Sequence, residues 1–343
     1  MRRSTRTTSV ASSSSCRTSR LRASLWSSPT TLARSRRPTG STGSPWKKRG
    51  SVRSSGSSSK RHSRRPAQPD PTSAVTVVTI LGSGTLIPDA SRSSAAHLID
   101  GEGFRLLLDC GSGTLHGLAR HAVDWTGLSH VAISHYHNDH VGDLSAILLA
   151  LKHGLAVARE EPLTLIGPPG FVGFLSRLDS ALGDHVLDPG CPLDVCELGP
   201  LDVFEAQKLG LRIRAYPTPH TDESVAYRVE TASGVVGYTG DTGPSDAVGE
   251  FLAGCSVLIA ECSLADPPSM EFHLAPSGLA RIATLADPDL LIVTHVYPHT
   301  RPADAALLVE QHGFGGHIVA GEDGLTVHLH EDGPVVEVPG GGR

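Results

Sequence analysis

The stretch SHYHNDH, residues 134–140, sets three histidines and an aspartate within six consecutive positions, directly after the apolar run HVAI. A short apolar run reads as a buried strand, so the cluster sits on the loop that leaves a strand and turns into a helix near Val141. Alternate residues of extended chain point the same way, which lets His135 and His137 reach one ion together. Asp139 and His140 follow once the chain has turned, and face a second ion beside the first. Imidazole nitrogens and carboxylate oxygens at this density suit Zn²⁺, with Mn²⁺ or Fe as alternatives. The rival reading is a surface loop that happens to be rich in histidine, and the density of the cluster weighs against it.

A centre for two ions needs further ligands. His220, in AYPTPHTDES, follows an apolar strand; alone it would read as a loop histidine, but beside the cluster it reads as a ligand. Asp241, in GYTGDTGP, ends a strand between glycines, where backbone can approach an ion closely and a carboxylate can bridge two. His295 closes LLIVTH at another strand end. His299 is its rival four residues on, set back by Pro298 and by its distance from the strand.

Strands are expected at AVTVVTIL, AAHLID, FRLLLDC, HVAIS, LTLIG, LRIRAYP, SVAYRVE, GVVGYTG, SVLIAEC, LLIVTHV and LTVHLH. Helices are expected over 140–153, 170–182, 245–253, 276–286 and 302–312. This alternation predicts one α/β layered domain over residues 74–343, with SVAYRVE and GVVGYTGDT joined by the tight turn TASG.

Residues 1–73 differ in kind, being rich in Arg, Ser, Thr and Pro and poor in apolar side chains. They read as a disordered tail, with too little to bury to offset the entropy of ordering. Of the 30 Lys and Arg, 17 fall within residues 1–74, and of the 35 acids only Asp70 does. The tail therefore carries about +16 and the remainder about −21, beneath an overall −5. A basic arm for polyanions, a transit-like leader and a start codon assigned too far upstream all fit this composition. The last is preferred, because no amphipathic periodicity accompanies the charge. No apolar run is long enough to cross a bilayer. The six cysteines form no Cys-x-x-Cys pair and read as thiols in a reducing cytoplasm.

SHYHNDH, then GDT, then a late strand-ending TH, resembles the metallo-β-lactamase-fold hydrolases, and the likeness spans residues 75–330. In detail it is similar to the ribonuclease Z-like, phosphodiesterase-type branch, on GSG…P…R/S-S, DCG-x-GT and the GP-x-G at Gly167, Pro168 and Gly170. The resemblance implies a four-layer αβ/βα sandwich, and relatives that are often homodimers. It implies that His135, His137 and His220 hold one metal, that Asp139, His140 and His295 hold the other, and that Asp241 bridges. Zinc β-lactamases commonly place a cysteine at the bridging position, so antibiotic hydrolysis is not expected.

Two ions roughly 3.5–4 Å apart share a hydroxide and neutralise charge on phosphoryl oxygens. Asp139 can orient that nucleophile. His273, in EFHLAPS, resembles the histidine of the H-x-T/S motif that protonates the leaving group, although Ala275 stands where a hydroxyl is usual. Glu261, in LIAECS, is a candidate partner for a metal-bound histidine. Ribonuclease Z proper inserts a long arm that grips transfer RNA where only TASG stands here, and a domain near −21 repels a polyanion. The preferred substrate is therefore a small-molecule ester, above all a small phosphodiester such as a cyclic nucleotide. The alternatives are tRNA 3′ processing on nucleic acid, which is disfavoured, and arylsulfatase or lactone hydrolysis on the same ions. A non-catalytic metal-binding protein comes last.

Overall fold

The computed structural model describes residues 19–20 and 75–337. The expected tail over 1–73 lies outside the described residues, apart from Ser19–Arg20, which form the two-residue strand β1. The first sheet continues with β2 (Thr76–Gly82), β3 (Ala96–Gly101), β4 (Phe104–Leu108), β5 (His130–Ala132), β6 (Leu163–Gly167) and β7 (Leu193–Glu197). The second holds β8 (Val203–Ala206), β9 (Leu211–Pro217), β10 (Val225–Thr231), β11 (Gly234–Tyr238), β12 (Val257–Glu261), β13 (Leu290–Thr294) and β14 (Ile318–Ala320). Strands β15 (Thr326–His330) and β16 (Gly333–Glu337) return to the first sheet, whose order is β1-β7-β6-β5-β4-β3-β2-β15-β16. The second sheet runs β14-β13-β12-β11-β10-β9-β8.

The sequence of β4 shows why the sheets stack as they do. Successive side chains of a strand point to opposite faces. Leu106 joins a core with Ile80, Ile213, Tyr227, Ile259 and Ile292, drawn from both sheets. Its neighbour Leu107 packs the other way, with Leu118, Leu148 and Leu175 of the helices. In β12, Ile259 faces the first core while Leu258 packs against Ile282 and Val309. A strand covered on both faces has no polar side, which is why these segments read as continuous apolar runs. Helices α1 (Thr114–Arg120), α2 (Asn138–Val141), α3 (Leu144–His153) and α4 (Phe171–Leu182) belong to the first sheet. Helices α5 (Asp246–Phe251), α6 (Pro276–Ala286) and α7 (Pro302–Gln311) belong to the second. The result is the four-layer αβ/βα sandwich.

Several elements depart from the sequence expectations. The single helix expected over 140–153 is two, because Gly142 and Asp143 interrupt it, and Asp143 Oδ2 accepts the Gly113 and Leu115 amides at 3.1 and 2.9 Å. Helix α1 and strands β7, β8, β14 and β16 were not expected; β7, for instance, gains its definition by pairing in parallel with β6. Among the described residues Cys110, Cys191, Cys255 and Cys262 are free thiols, and Cys16 lies outside them. The β10–β11 hairpin is as tight as TASG implies: Thr231 pairs directly with Gly234 across Ala232 and Ser233.

Parallel strands bring β4 and β5, and separately β11, β12 and β13, to the same edge with their C-terminal ends. Close backbone contact then sets the loop after β5. The Cys110 amide donates to His140 O at 2.8 Å, and a Cβ added at Gly111 would lie 1.9 Å from Asp139 O. Gly111→Ala is therefore expected to push Asp139 outward and to cost about 1–3 kcal/mol or more of stability, read as a lower urea midpoint.

Candidate metal centre

Seven side chains from four loops meet at that edge. His135 and His137 follow β5, and Asp139 and His140 lie in α2. His220 follows β9, Asp241 follows β11 and His295 follows β13. Ligating atoms of His135, His137, His220 and Asp241 lie within 4.8 Å of one another, as do those of Asp139, His140 and His295. Asp241 stands between the two groups. Its Oδ2 is 3.7 Å from both His135 Nε2 and His220 Nε2. Its Oδ1 is 3.3 Å from His140 Nε2 and 3.5 Å from His295 Nε2. His299 belongs to neither group.

The outward nitrogens explain the inward ones. His140 Nδ1 lies 2.7 Å from Asp109 Oδ2, His220 Nδ1 2.8 Å from Phe272 O, His135 Nδ1 3.0 Å from Ser134 Oγ and His295 Nδ1 2.9 Å from Ser263 Oγ. With Nδ1–H donating outward, each Nε2 presents a lone pair inward. Yet His140 Nε2 and His295 Nε2 are only 3.3 Å apart, and His135 Nε2 and His137 Nδ1 only 3.0 Å. Asp241 Oδ1 is buried with no hydrogen-bond partner. Acceptors crowded against acceptors in a buried site call for a cation. The residues thus fit a divalent metal centre.

Protonation behaviour says the same. Burial opposes charge on His140, but Asp241 and Asp109 outweigh it and hold its pKa well above the usual imidazole value. Burial resists ionisation of Asp241, yet His295 and His140 hold its carboxyl well below the ordinary range. Burial, reinforced by neighbouring His140, pushes His135 well down. Without a cation, the buried carboxylates draw positive charge from the imidazoles themselves, His140 above all.

His273 lies beside this group. Its Nδ1 is 4.0 Å from Asp241 Oδ2, so Asp241, His273 and His295 form a third candidate set. That same nitrogen is committed to Glu261 Oε1 at 2.9 Å, and metal binding through it would break a buried hydrogen bond. Glu261 was expected to partner a metal-bound histidine. It instead pairs with His273 and reaches His295 only through Ser263, whose hydroxyl lies 2.5 Å from Glu261 Oε2.

Two supporting residues were not singled out in the sequence. Asp109, fully buried and at φ 56°, accepts from the Ser134 amide and hydroxyl at 2.7 Å each and from Tyr238 OH at 2.6 Å, as well as holding His140. Its signal was present, since it opens the DCG turn at a strand end. Ser263 carried no signal of its own.

Residues 104–296 match the model of the beta-lactamase superfamily domain. The chain belongs to the metallo-β-lactamase superfamily. A ribonuclease Z of Mycobacterium bovis (strain BCG / Pasteur 1173P2) is 28% identical over 278 residues, covering 74% of this chain and 98% of that protein. A ribonuclease Z of Mycolicibacterium paratuberculosis (strain ATCC BAA-968 / K-10) is 31% identical over 242 residues, 64% of this chain and 86% of that one. The metallo-β-lactamase fold protein YhfI from Bacillus subtilis superposes with a TM-score of 0.64 at 24% identity, covering 75% of this chain and all of its own. This metallo-β-lactamase superfamily member is a metal-dependent hydrolase of the ribonuclease Z-like, phosphodiesterase-type branch. Among the described residues, no helix is long and apolar enough to cross a membrane.

Asp109→Asn should lower divalent-metal affinity about 10- to 100-fold by loosening the His140 ring, measured by competition with a chromogenic chelator.

Proposed function

We propose that the chain is a dinuclear hydrolase of small phosphodiesters. His135, His137 and His220 would hold one ion and Asp139, His140 and His295 the other, with Asp241 standing between the two groups as the bridging carboxylate. Zn²⁺ is the first choice for both ions, with Mn²⁺ or Fe as alternatives, because the donors are imidazole nitrogens and carboxylates. The observation that carries this reading is the position of Asp241, with two histidines of one group near Oδ2 and two of the other near Oδ1.

A divalent pair supplies a water of lowered pKa and neutralises charge growing on phosphoryl oxygens. The chain's own residues do the rest. Asp139, 3.3 Å from His295 Nε2 through Oδ2, orients the attacking water beside the ions. His273 carries the proton for the leaving oxygen. Burial opposes its charge, but the hydrogen bond and charge of Glu261, aided by Asp241, outweigh burial and raise its pKa. Glu261 is itself fixed by the Thr242 amide at 2.8 Å and the Ser263 hydroxyl, so the imidazole is held by Nδ1 and keeps Nε2 for transfer.

A small substrate is supported by the two-residue turn between β10 and β11 and by the acidic balance after residue 74. A ribonuclease Z-type endonuclease stands second, favoured by the curated relatives that carry that name. Cleavage of pre-tRNA with kcat/KM above that for a bis-aryl phosphate would reverse the order. The cytoplasmic location rests on the four free thiols among the described residues.

Asp241→Ala should abolish diester hydrolysis and lower the bound metal, read by elemental analysis. His273→Ala should cost on the order of 10²–10⁴ in kcat for alkyl diesters. It should cost little for a 4-nitrophenyl ester, whose leaving group departs unprotonated. An equal loss on both substrates would remove His273 from the role of acid.

A further inference from the structure

Beside Asp139 the surface opens into a cavity of about 420 Å³. One wall is the loop after β2, where Leu86, Ile87 and Pro88 stand, and the other includes Ser112 and Asn138. The size lies within the roughly 300–1,000 Å³ of small-molecule sites. Leu86 and Ile87 are 63% and 40% exposed, so the wall presents aliphatic surface to whatever enters. The loop is also fixed in advance: the Ile87 amide donates to Thr85 Oγ1 at 3.2 Å, Ser94 Oγ to Thr85 O at 3.2 Å, and the Gly84 amide to Ser93 O at 2.8 Å.

The charge on this wall is the informative feature. Among the described residues lining the cavity, Arg92 is the only cation. Its Nε and Nη2 bind Asp89 Oδ2 at 3.1 and 2.9 Å, and Nη1 donates to Val296 O at 2.8 Å. The Arg92 side chain is 8% exposed. The Ser91 amide and hydroxyl, with Arg92 behind them, hold the Asp89 carboxyl down at about 2, so the pair stays ionised and sums to zero. Away from the metal centre, a phosphate against this wall would lose water and find no free side-chain cation in return. An uncharged organic group would lie on Leu86 and Ile87, with neutral hydroxyl and amide groups of Ser94, Ser112 and Asn138 to meet its polar atoms.

We propose that this cavity receives the uncharged organic side of the substrate. The substrate then carries one phosphate on a small neutral alcohol or nucleoside, and is not an internal linkage of a polynucleotide. This rests on the phosphodiesterase reading of the adjoining centre.

The test pairs binding with turnover on the metal-loaded full chain. Calorimetric titration compares a nucleoside 5′-monophosphate with the corresponding 3′,5′-bisphosphate, and the monophosphate is expected to bind at least about tenfold more tightly. Ile87→Lys places a cation on the wall, and Asp89→Asn releases the Arg92 guanidinium; each should narrow that preference to about threefold or less. The same comparison in turnover uses nucleoside 5′-(4-nitrophenyl phosphates) with and without a 3′-phosphate. Equal binding of both nucleotides, binding of neither, or a preference untouched by both substitutions overturns the subsite. A preference that responds to the substitutions while no diester is hydrolysed keeps the subsite and removes the phosphodiesterase reading alone.

Discussion

Asp241 is buried between two sets of histidines whose inward nitrogens carry lone pairs, and one of its own oxygens has no hydrogen-bond partner. A carboxylate in that position is costly unless positive charge lies beside it. The layers of the sandwich are arranged around this need. The first sheet delivers His135, His137, Asp139 and His140, the second delivers His220, Asp241 and His295, and neither sheet alone holds a complete set. The sheet-to-sheet core, with Leu106 of one sheet against Ile259 and Ile292 of the other, therefore also sets the distance between the two halves of the centre.

Rigidity around the centre comes from groups that never face the cavity. Asp109 ties the ring of His140 to Ser134, next to His135, and to Tyr238 at the end of β11, so one carboxylate fixes parts from both sheets. Ser263 and Glu261 play the matching part on the other side, linking His295 to His273. Both arrangements hold imidazoles by Nδ1 and leave Nε2 clear of those partners, which sets tautomer and direction together. The Arg92–Asp89 pair at the neighbouring cavity shows the opposite arrangement: its charges cancel there, whereas carboxylates and imidazoles crowd together around Asp241.

Much of this was legible along the chain, for identifiable reasons. Strands buried on both faces read as unbroken apolar runs, so FRLLL and LLIVT declared themselves, and the density of ligands in SHYHNDH had few other readings. Elements whose order depends on partners did not. β7 and β8 lie in a stretch of mixed composition and are defined by their pairing with β6 and β9. The break between α2 and α3 follows from Asp143 capping distant amides at Gly113 and Leu115. Asp109 was visible as a strand-end acid, but its four hydrogen bonds come from residues 25 to 129 positions away.

By itself the sequence determined residue chemistry and local geometry: which segments alternate or run apolar, where the chain turns, and which side chains are able to ligate. Those properties depend on neighbours within a few positions, as the two-residue turn at TASG between β10 and β11 illustrates. Tertiary structure decided which nitrogen of each histidine faces inward, which carboxylate supports which ring, and that Arg92 is not free to meet a phosphate. Each of these depends on atoms brought together by tertiary packing, within a sheet or between the two, and a hydrogen bond 2.7 Å long between residues 31 apart, such as Asp109 to His140, leaves no trace in local composition.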